Sequence, residues 1–297
     1  MRGVAQVEFI SNPWTGVLFI IALFVGGWQF GVFGLLGTVV ATLTAVALGI
    51  DRKRVLIGLE GFCGALIGVS LVLYLGTNWM TVVLTIAGCI AGSVLTAAMV
   101  TVLTQYNLPT FTAPFCVITT VIVVAAPTFE RVWRGHTSAA LPAPVSTSTT
   151  LTWSDAWHGL FNGIGQIFFQ DKWYVGLIFL VGIAVASRIA AVAAVLASIV
   201  GILVGWGLGA PTESIGKGLY GYNAVLTAMA LAGIFVVLTP AAGVFALVGA
   251  AAAAGLTAAL TNFFTPVGGH TLTWPFVLVT WIFLASVGTA HALRRTG

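Results

Sequence analysis

Apolar residues run along this chain in long, nearly unbroken stretches, separated by short clusters of charged and polar residues, Gly and Pro. The runs lack the strict alternation of half-buried strands and are too continuous for the strands of a membrane barrel. Five precede residue 130, at 13–33, 28–50, 55–76, 78–103 and 110–128. Five follow, at 173–188, 189–210, 214–236, 238–262 and 273–293. The first two overlap because Gly26, Gly27 and Gly31 blur their boundary. Most approach the ~20 residues that a helix needs to cross the hydrocarbon. Between the halves, the stretch from Arg131 to Trp157 is rich in Ser, Thr and Pro and reads as an extramembrane loop. Its end, Asp155 to Phe161, predicts a short interfacial helix with Trp153 and Trp157 at headgroup level.

The pattern occurs twice. GLEGFCGALIG (58–68) and GLYGYNAVLTA (218–228) stand 160 positions apart. The same offset joins Gln6-Val7-Glu8-Phe9 to Gln166-Ile167-Phe168-Phe169, and GTVVATLTAVALG (37–49) to ASIVGILVGWGLG (197–209). LPTFTAPF (108–115) matches HTLTWPF (270–276) at an offset of 161, with Thr112 on Thr273. An odd number of spans in each half predicts an inverted repeat, with a solute path near mid-membrane where the halves meet. The expected organisation is a first repeat over 1–130, an extramembrane linker over 131–160 and a second repeat over 161–297.

Composition supports the membrane reading. Hydrophobic residues make up 59% of the chain and charged residues 6%, against about 25% in soluble domains. Mean hydropathy is +1.10. So few charges cannot cover a globular surface, so the solvent is lipid and the spans are helices that close their own backbone hydrogen bonds. The net charge of +4 does not point to nucleic acid, because the basic residues sit at segment ends. With the N-terminus inside, Arg2, Arg52, Lys53, Arg54, Arg188, Arg294 and Arg295 face the cytoplasm, while Arg131, Arg134, Lys172 and Lys217 lie outside. That count favours cytoplasmic termini in a plasma (inner) membrane protein. Cys63, Cys89 and Cys116 have no metal-ligand or disulfide spacing, and no cofactor motif is present. The first residues show no cleavable leader, so the first span is expected to direct insertion. Nucleophile elbow, P-loop, HExxH and clustered carboxylates are all missing from the sequence, which argues against an enzyme.

The third span of each half is cut by glycines, at 58, 61, 64 and 68 and at 216, 218 and 221. Two readings stand: a re-entrant or broken helix whose carbonyls line a cavity, or close helix packing through small residues.

Repetition also selects polar and aromatic candidates. Gln6 and Gln166 occupy equivalent places, and an amide in hydrocarbon needs a neighbouring helix or a wet path. Phe9 with Phe62, and Phe169 with Tyr222, form two matched aromatic pairs; each ring alone reads as packing, but paired rings make a slot for a flat solute. Thr112 and Thr273 each precede an x-Pro-Phe. Inside a helix such a proline would free a carbonyl beside the hydroxyl; the bland reading is a hydroxyl bonded to its own backbone. Among ionisable residues, Glu60 is a candidate proton site, although Tyr220 replaces it in the other half. Glu8, close to the chain start, is expected to be solvated. His136, His158, His270 and His291 form no paired intramembrane motif, and Asn12-Pro13 has no counterpart at Lys172-Trp173.

On these residues the chain resembles the urea transporters. LPTFTAPF resembles the family's LPxxTxPF signature, and NPWTG (12–16), GTVVATLTAVALGIDR (37–52), GIGQ (163–166), GLYGYN (218–223) and the second Thr-x-Pro-Phe (273–276) follow in the family's order. The resemblance implies an all-α membrane fold of ten transmembrane helices plus two re-entrant helices in two inverted repeats of five spans. It also implies a homotrimer with one pore per subunit, acting as a channel. Carried over, it assigns Phe9 with Phe62 and Phe169 with Tyr222 to aromatic slots, and Thr112 and Thr273 to the centre. Gln6 and Gln166 fall at the ends of an oxygen ladder, and Val7, Leu66, Ile167 and Leu226 on the apolar wall. Asn223 keeps the asparagine that the family places after the aromatic of the third span, whereas Cys63 replaces it in the first half. Glu60 stands where a neutral residue or histidine is expected.

The expected function is passive transport of urea. Urea is neutral, flat and rich in N–H donors, and stripping its water without replacement costs several kcal/mol. A row of oxygens can replace that water while aromatic rings hold the faces, and repeated shallow sites permit release. Two alternatives stay open: passage of another small neutral solute such as ammonia, water or a short amide, and proton-coupled secondary transport through Glu60.

Overall fold

The computed structural model describes residues 1–132, 150–289 and 292–296. Among these the regular elements are helical, apart from one antiparallel bridge between Val236 and Arg295. Most of the predicted linker, including Arg134 and His136, lies outside the described residues, as does His291.

The chain divides into two compact units, Met1–Leu141 with Phe264–His270, and Pro142–Phe263 with Thr271–Gly297. In the first unit a short helix α1 (Arg2–Ala5) leads through a 3₁₀ turn to α2 (Pro13–Gly26). Asn12 accepts a bond from the Trp14 amide and Pro13 opens the helix, the usual chemistry of a helix start. The blurred boundary of the first two runs resolves at Gly27, which is extended, before α3 (Trp28–Ala47). Then come α4 (Arg52–Leu56), α5 (Phe62–Leu75), α6 (Trp79–Leu103) and α7 (Ala113–Ala125).

The second unit repeats this order with α8 (Trp153–Gly165), α9 (Trp173–Ala186), α10 (Arg188–Gly207), α11 (Thr212–Gly216), α12 (Tyr222–Met229), α13 (Pro240–Phe264) and α14 (Trp274–Val287). The helix α8 is longer than the Asp155–Phe161 segment expected. Thr152 and Asp155 form a reciprocal capping box that starts it early, and its last turn runs directly into the Gln166–Phe168 turn.

Helices α3, α6, α10 and α13, the second and fourth with their trailing 3₁₀ turns, are long and apolar enough to cross a membrane. The pairs Arg2–Glu8 with Pro13–Gly26, and Trp153–Phe168 with Trp173–Ala186, would each pass as a span but bend by 86° and 73°. Shorter apolar helices run over Phe62–Leu75, Ala113–Thr128, Tyr222–Ile234 and Trp274–Val287. The protein is thus an all-helical, multi-pass membrane protein.

The glycines of the third span mark both a helix break and a close helix contact. Gly58 and Gly218 carry positive φ of 89° and 77° in the turn that separates a short helix from the next, positions where other residues are strained. Gly64 and Gly68 instead let α5 lie against α3: a Cβ on either would sit 2.2 and 2.0 Å from the carbonyl oxygens of Gly37 and Phe33.

The units also differ at the end of the third long helix. α5 continues to Leu75, but α12 breaks after Met229 into a wide turn over Ala230–Ile234, with Ala232 at ψ 63° and Gly233 at φ 108°. Beyond it the chain end folds back, Val237 donating to the Arg294 carbonyl and Thr296 to Phe235. The break coincides with the change of repeat offset from 160 to 161.

Candidate functional site

Each unit builds its own set of candidate residues from three pieces. The first is the turn after the bent pair. The Phe9 amide closes on the Gln6 carbonyl at 3.0 Å and Ile10 on Ala5 at 3.3 Å; Phe169 and Gln170 do the same on Gln166 and Gly165 at 3.0 and 3.1 Å. That closure places its middle residue in the left-handed region, which glycine usually fills. Here it is phenylalanine both times, Phe9 at φ 62° and Phe169 at φ 60°.

The glutamines take matched partners. Gln6 Nε2 donates to the Ile57 carbonyl at 2.8 Å and Gln166 Nε2 to the Lys217 carbonyl at 3.0 Å. Spending the donor end on the chain presents the amide oxygen as an acceptor. Both carbonyls belong to the turn that precedes the third long helix, so each glutamine ties the two turns together.

The second piece is the start of that helix. Phe62 and Tyr222 are its first residues and are nearly buried. Val7, Leu66, Ile167 and Leu226 are fully buried on the turn and helix of their own units.

The third piece is the residue before each repeated threonine, Thr112 and Thr273, which sequence reasoning missed. Phe111 and Leu272 both sit at φ 48°. In the second unit the Leu272 carbonyl accepts the Tyr222 hydroxyl at 2.8 Å and lies 3.4 Å from Asn223 Nδ2. Asn223 also donates to Thr257 Oγ1 at 3.1 Å and accepts from the Phe276 amide at 3.2 Å, so it pins α12 to α13 and α14. In the first unit the Phe111 ring meets Phe9 edge-on at 6.1 Å, and Cys63 Sγ stands 3.9 Å from the Phe111 carbonyl. The available signal was the repeat itself, which aligns Phe111 with Leu272.

The threonines are not inside helices, which corrects the freed-carbonyl expectation. Thr112 and Thr273 are the N-caps of α7 and α14, and each proline falls in the first turn. Donors there have no intrahelical partner in any helix, so the proline frees nothing. Both threonines are almost fully buried.

Glu60, Glu213 and Glu8 differ in how their carboxyls are held. Glu60 is buried and bonded to Arg54 Nε at 2.8 Å. Lys217 holds Glu213 at 2.5 Å, and its ammonium keeps that exposed carboxyl below its ordinary range. Glu8 overturns the expectation of solvation: it has no exposed surface, and neither carboxylate oxygen has a hydrogen-bond partner among the described residues. The preceding helical turn folds it inward, at the place where Phe168 stacks on Phe179 in the second unit.

The family model described as urea transporter matches residues 1–288. Urea transporter 1 of Ovis aries is 33% identical over 292 residues, covering 96% of this chain and 75% of its own. Urea transporter 1 of Capra hircus and of Mus musculus are 33% and 32% identical with the same coverage. A family match over nearly the whole length, with two sets of residues repeated in register, leads to one conclusion: the chain belongs to the urea transporter family.

Proposed function

We propose that this protein conducts urea passively across the membrane, along an aromatic-slot and oxygen-ladder path to which each unit contributes one set. The observation that carries this reading is the duplicated construction: a phenylalanine forced into a left-handed turn, an anchored glutamine and a buried threonine that follows a second left-handed residue. Rings of Phe9, Phe62, Phe169 and Tyr222 take the faces of a planar solute. Oxygens of Gln6, Gln166, Thr112 and Thr273 replace water along its N–H edge. The matched set carries no formal charge, so an ion would meet an uncompensated desolvation cost. The reading includes ten spans plus two re-entrant helices, inverted repeats over 1–130 and 161–297 and a homotrimer, with an inner-membrane location and the cytoplasmic termini that the distribution of basic residues favours.

Proton coupling has one observation in its favour, the buried Glu8 carboxyl, while Glu60 is held by Arg54. Stopped-flow flux into proteoliposomes separates the two. Channel transport gives saturable urea uptake that a proton uncoupler leaves unchanged and that thiourea-like planar analogues inhibit. Uptake abolished by collapsing the proton gradient would overturn it.

A further inference from the structure

The second unit carries an apolar groove of about 380 Å³, walled by α10, α12 with its wide turn, and α13. Ile189, Val192, Leu196, Leu238 and Leu247 line it, and Arg188 stands at one end. The groove has a sequence cause. At the equivalent positions of the first unit, Phe33 and Val72 are buried and α5 runs on as helix through Leu73. In the second unit these positions are Ala193, Ala232 and Gly233, and the helix has already broken. A ring, a branched side chain and a helical turn have been removed from one wall.

An apolar hollow in the surface of a membrane protein does not stay empty, because its lining would forfeit dispersion contacts. Ile189 and Val192 are 57% and 59% exposed along its rim. The charge at its end is also distinctive. Arg188 replaces the Trp28 of the first unit, belongs to no ion pair among the described residues, and is the first residue of α10. Its guanidinium and the helix start both favour an anion. An apolar trough that ends in a cation is complementary to a molecule with an apolar tail and an anionic head.

We propose that this groove binds one acyl chain of an anionic phospholipid, with the phosphate held by Arg188 at the start of α10. The site is independent of the solute path: none of its lining residues belongs to the matched pore sets.

Native mass spectrometry of the full chain in detergent tests this, with dioleoylphosphatidylglycerol and dioleoylphosphatidylcholine as probes. Wild type is expected to retain the anionic lipid about fivefold more tightly than the zwitterionic one. Arg188→Gln should erase the preference. Ala193→Phe, which restores the residue of the first unit, should weaken both lipids. Val192→Trp, at the exposed rim where folding tolerates bulk, should do the same and carries the test if Ala193→Phe fails to fold. Equal retention of both lipids by wild type, or retention unchanged in Arg188→Gln and Val192→Trp, overturns the proposal. Loss of subunit association in the groove variants with lipid retention unchanged also overturns it, and assigns the groove to a second copy of the chain.

Discussion

The Tyr222 hydroxyl donates to the Leu272 carbonyl at 2.8 Å, and Phe62, at the equivalent place, has no hydroxyl to give Phe111. The two sets are therefore alike in backbone and unequal in how firmly that carbonyl is held. Asn223 reinforces the difference, since Cys63 reaches Phe111 only through a weak sulfur contact at 3.9 Å. Tyr222→Phe is expected to lower stability by about 0.5–1.5 kcal/mol, the net worth of one hydrogen bond. Cys63→Asn should raise stability by joining α5 to the Phe111 segment. Chemical denaturation in micelles checks both, and opposite signs are the expected result.

Thr112→Val and Thr273→Val each remove one oxygen from the proposed ladder with little change of shape. Each should slow urea flux about fivefold, the effect of one hydrogen bond of about 1 kcal/mol on a barrier. Stopped-flow light scattering measures it, with a melting curve to confirm folding. Wild-type flux from either variant would remove that threonine from the path.

Glu8→Leu should stabilise the fold. The wild-type carboxyl has no exposed surface and no hydrogen-bond partner among the described residues, a burden of about 1–3 kcal/mol in comparable cases. The reading is a higher midpoint of thermal unfolding at unchanged urea permeability. A lower midpoint would mean that Glu8 has a compensating partner.

Gly64→Ala should be destabilising by about 1–3 kcal/mol, because the added carbon would lie 2.2 Å from the Gly37 carbonyl and force α3 and α5 apart. Gly243→Ala, where the new carbon meets nothing within 4 Å, is the control and should not destabilise. Melting temperatures of the pair give the comparison.

His270 sets a pH dependence. It stacks on Tyr74 at 3.8 Å, and burial lowers its pKa from 6.5. The unfolded chain therefore takes up a proton at a higher pH than the native one. The contribution of neutral His270 is fully present above pH 6.5 and is lost as pH falls through the lowered value. His270→Gln should flatten the acid side of a plot of stability against pH.

What could be read from the sequence follows from where the information is local. Apolar runs marked the long helices because hydropathy acts on each segment alone, and the repeat marked Phe9, Phe169 and both threonines because two copies constrain each other. The turns were not legible. Phe111 and Leu272 adopt a backbone conformation that their side chains disfavour, so nothing in their identity announces it. Thr257 is one of many helix threonines until Asn223 reaches it. Glu8 looked solvated because proximity to a chain end is a poor guide when the first residues fold into a turn.

Four bulky residues occupy left-handed backbone positions: Phe9, Phe169, Phe111 and Leu272. Each is strained by roughly 1–2 kcal/mol relative to glycine at the same place. Glycine occupies the same region without strain at Gly49, Gly58, Gly209 and Gly218. The packing each side chain makes must outweigh that strain: Phe111 and Leu272 are 4% and 3% exposed, and truncating such a buried side chain costs about 2–5 kcal/mol, so these residues hold their places against their own backbone.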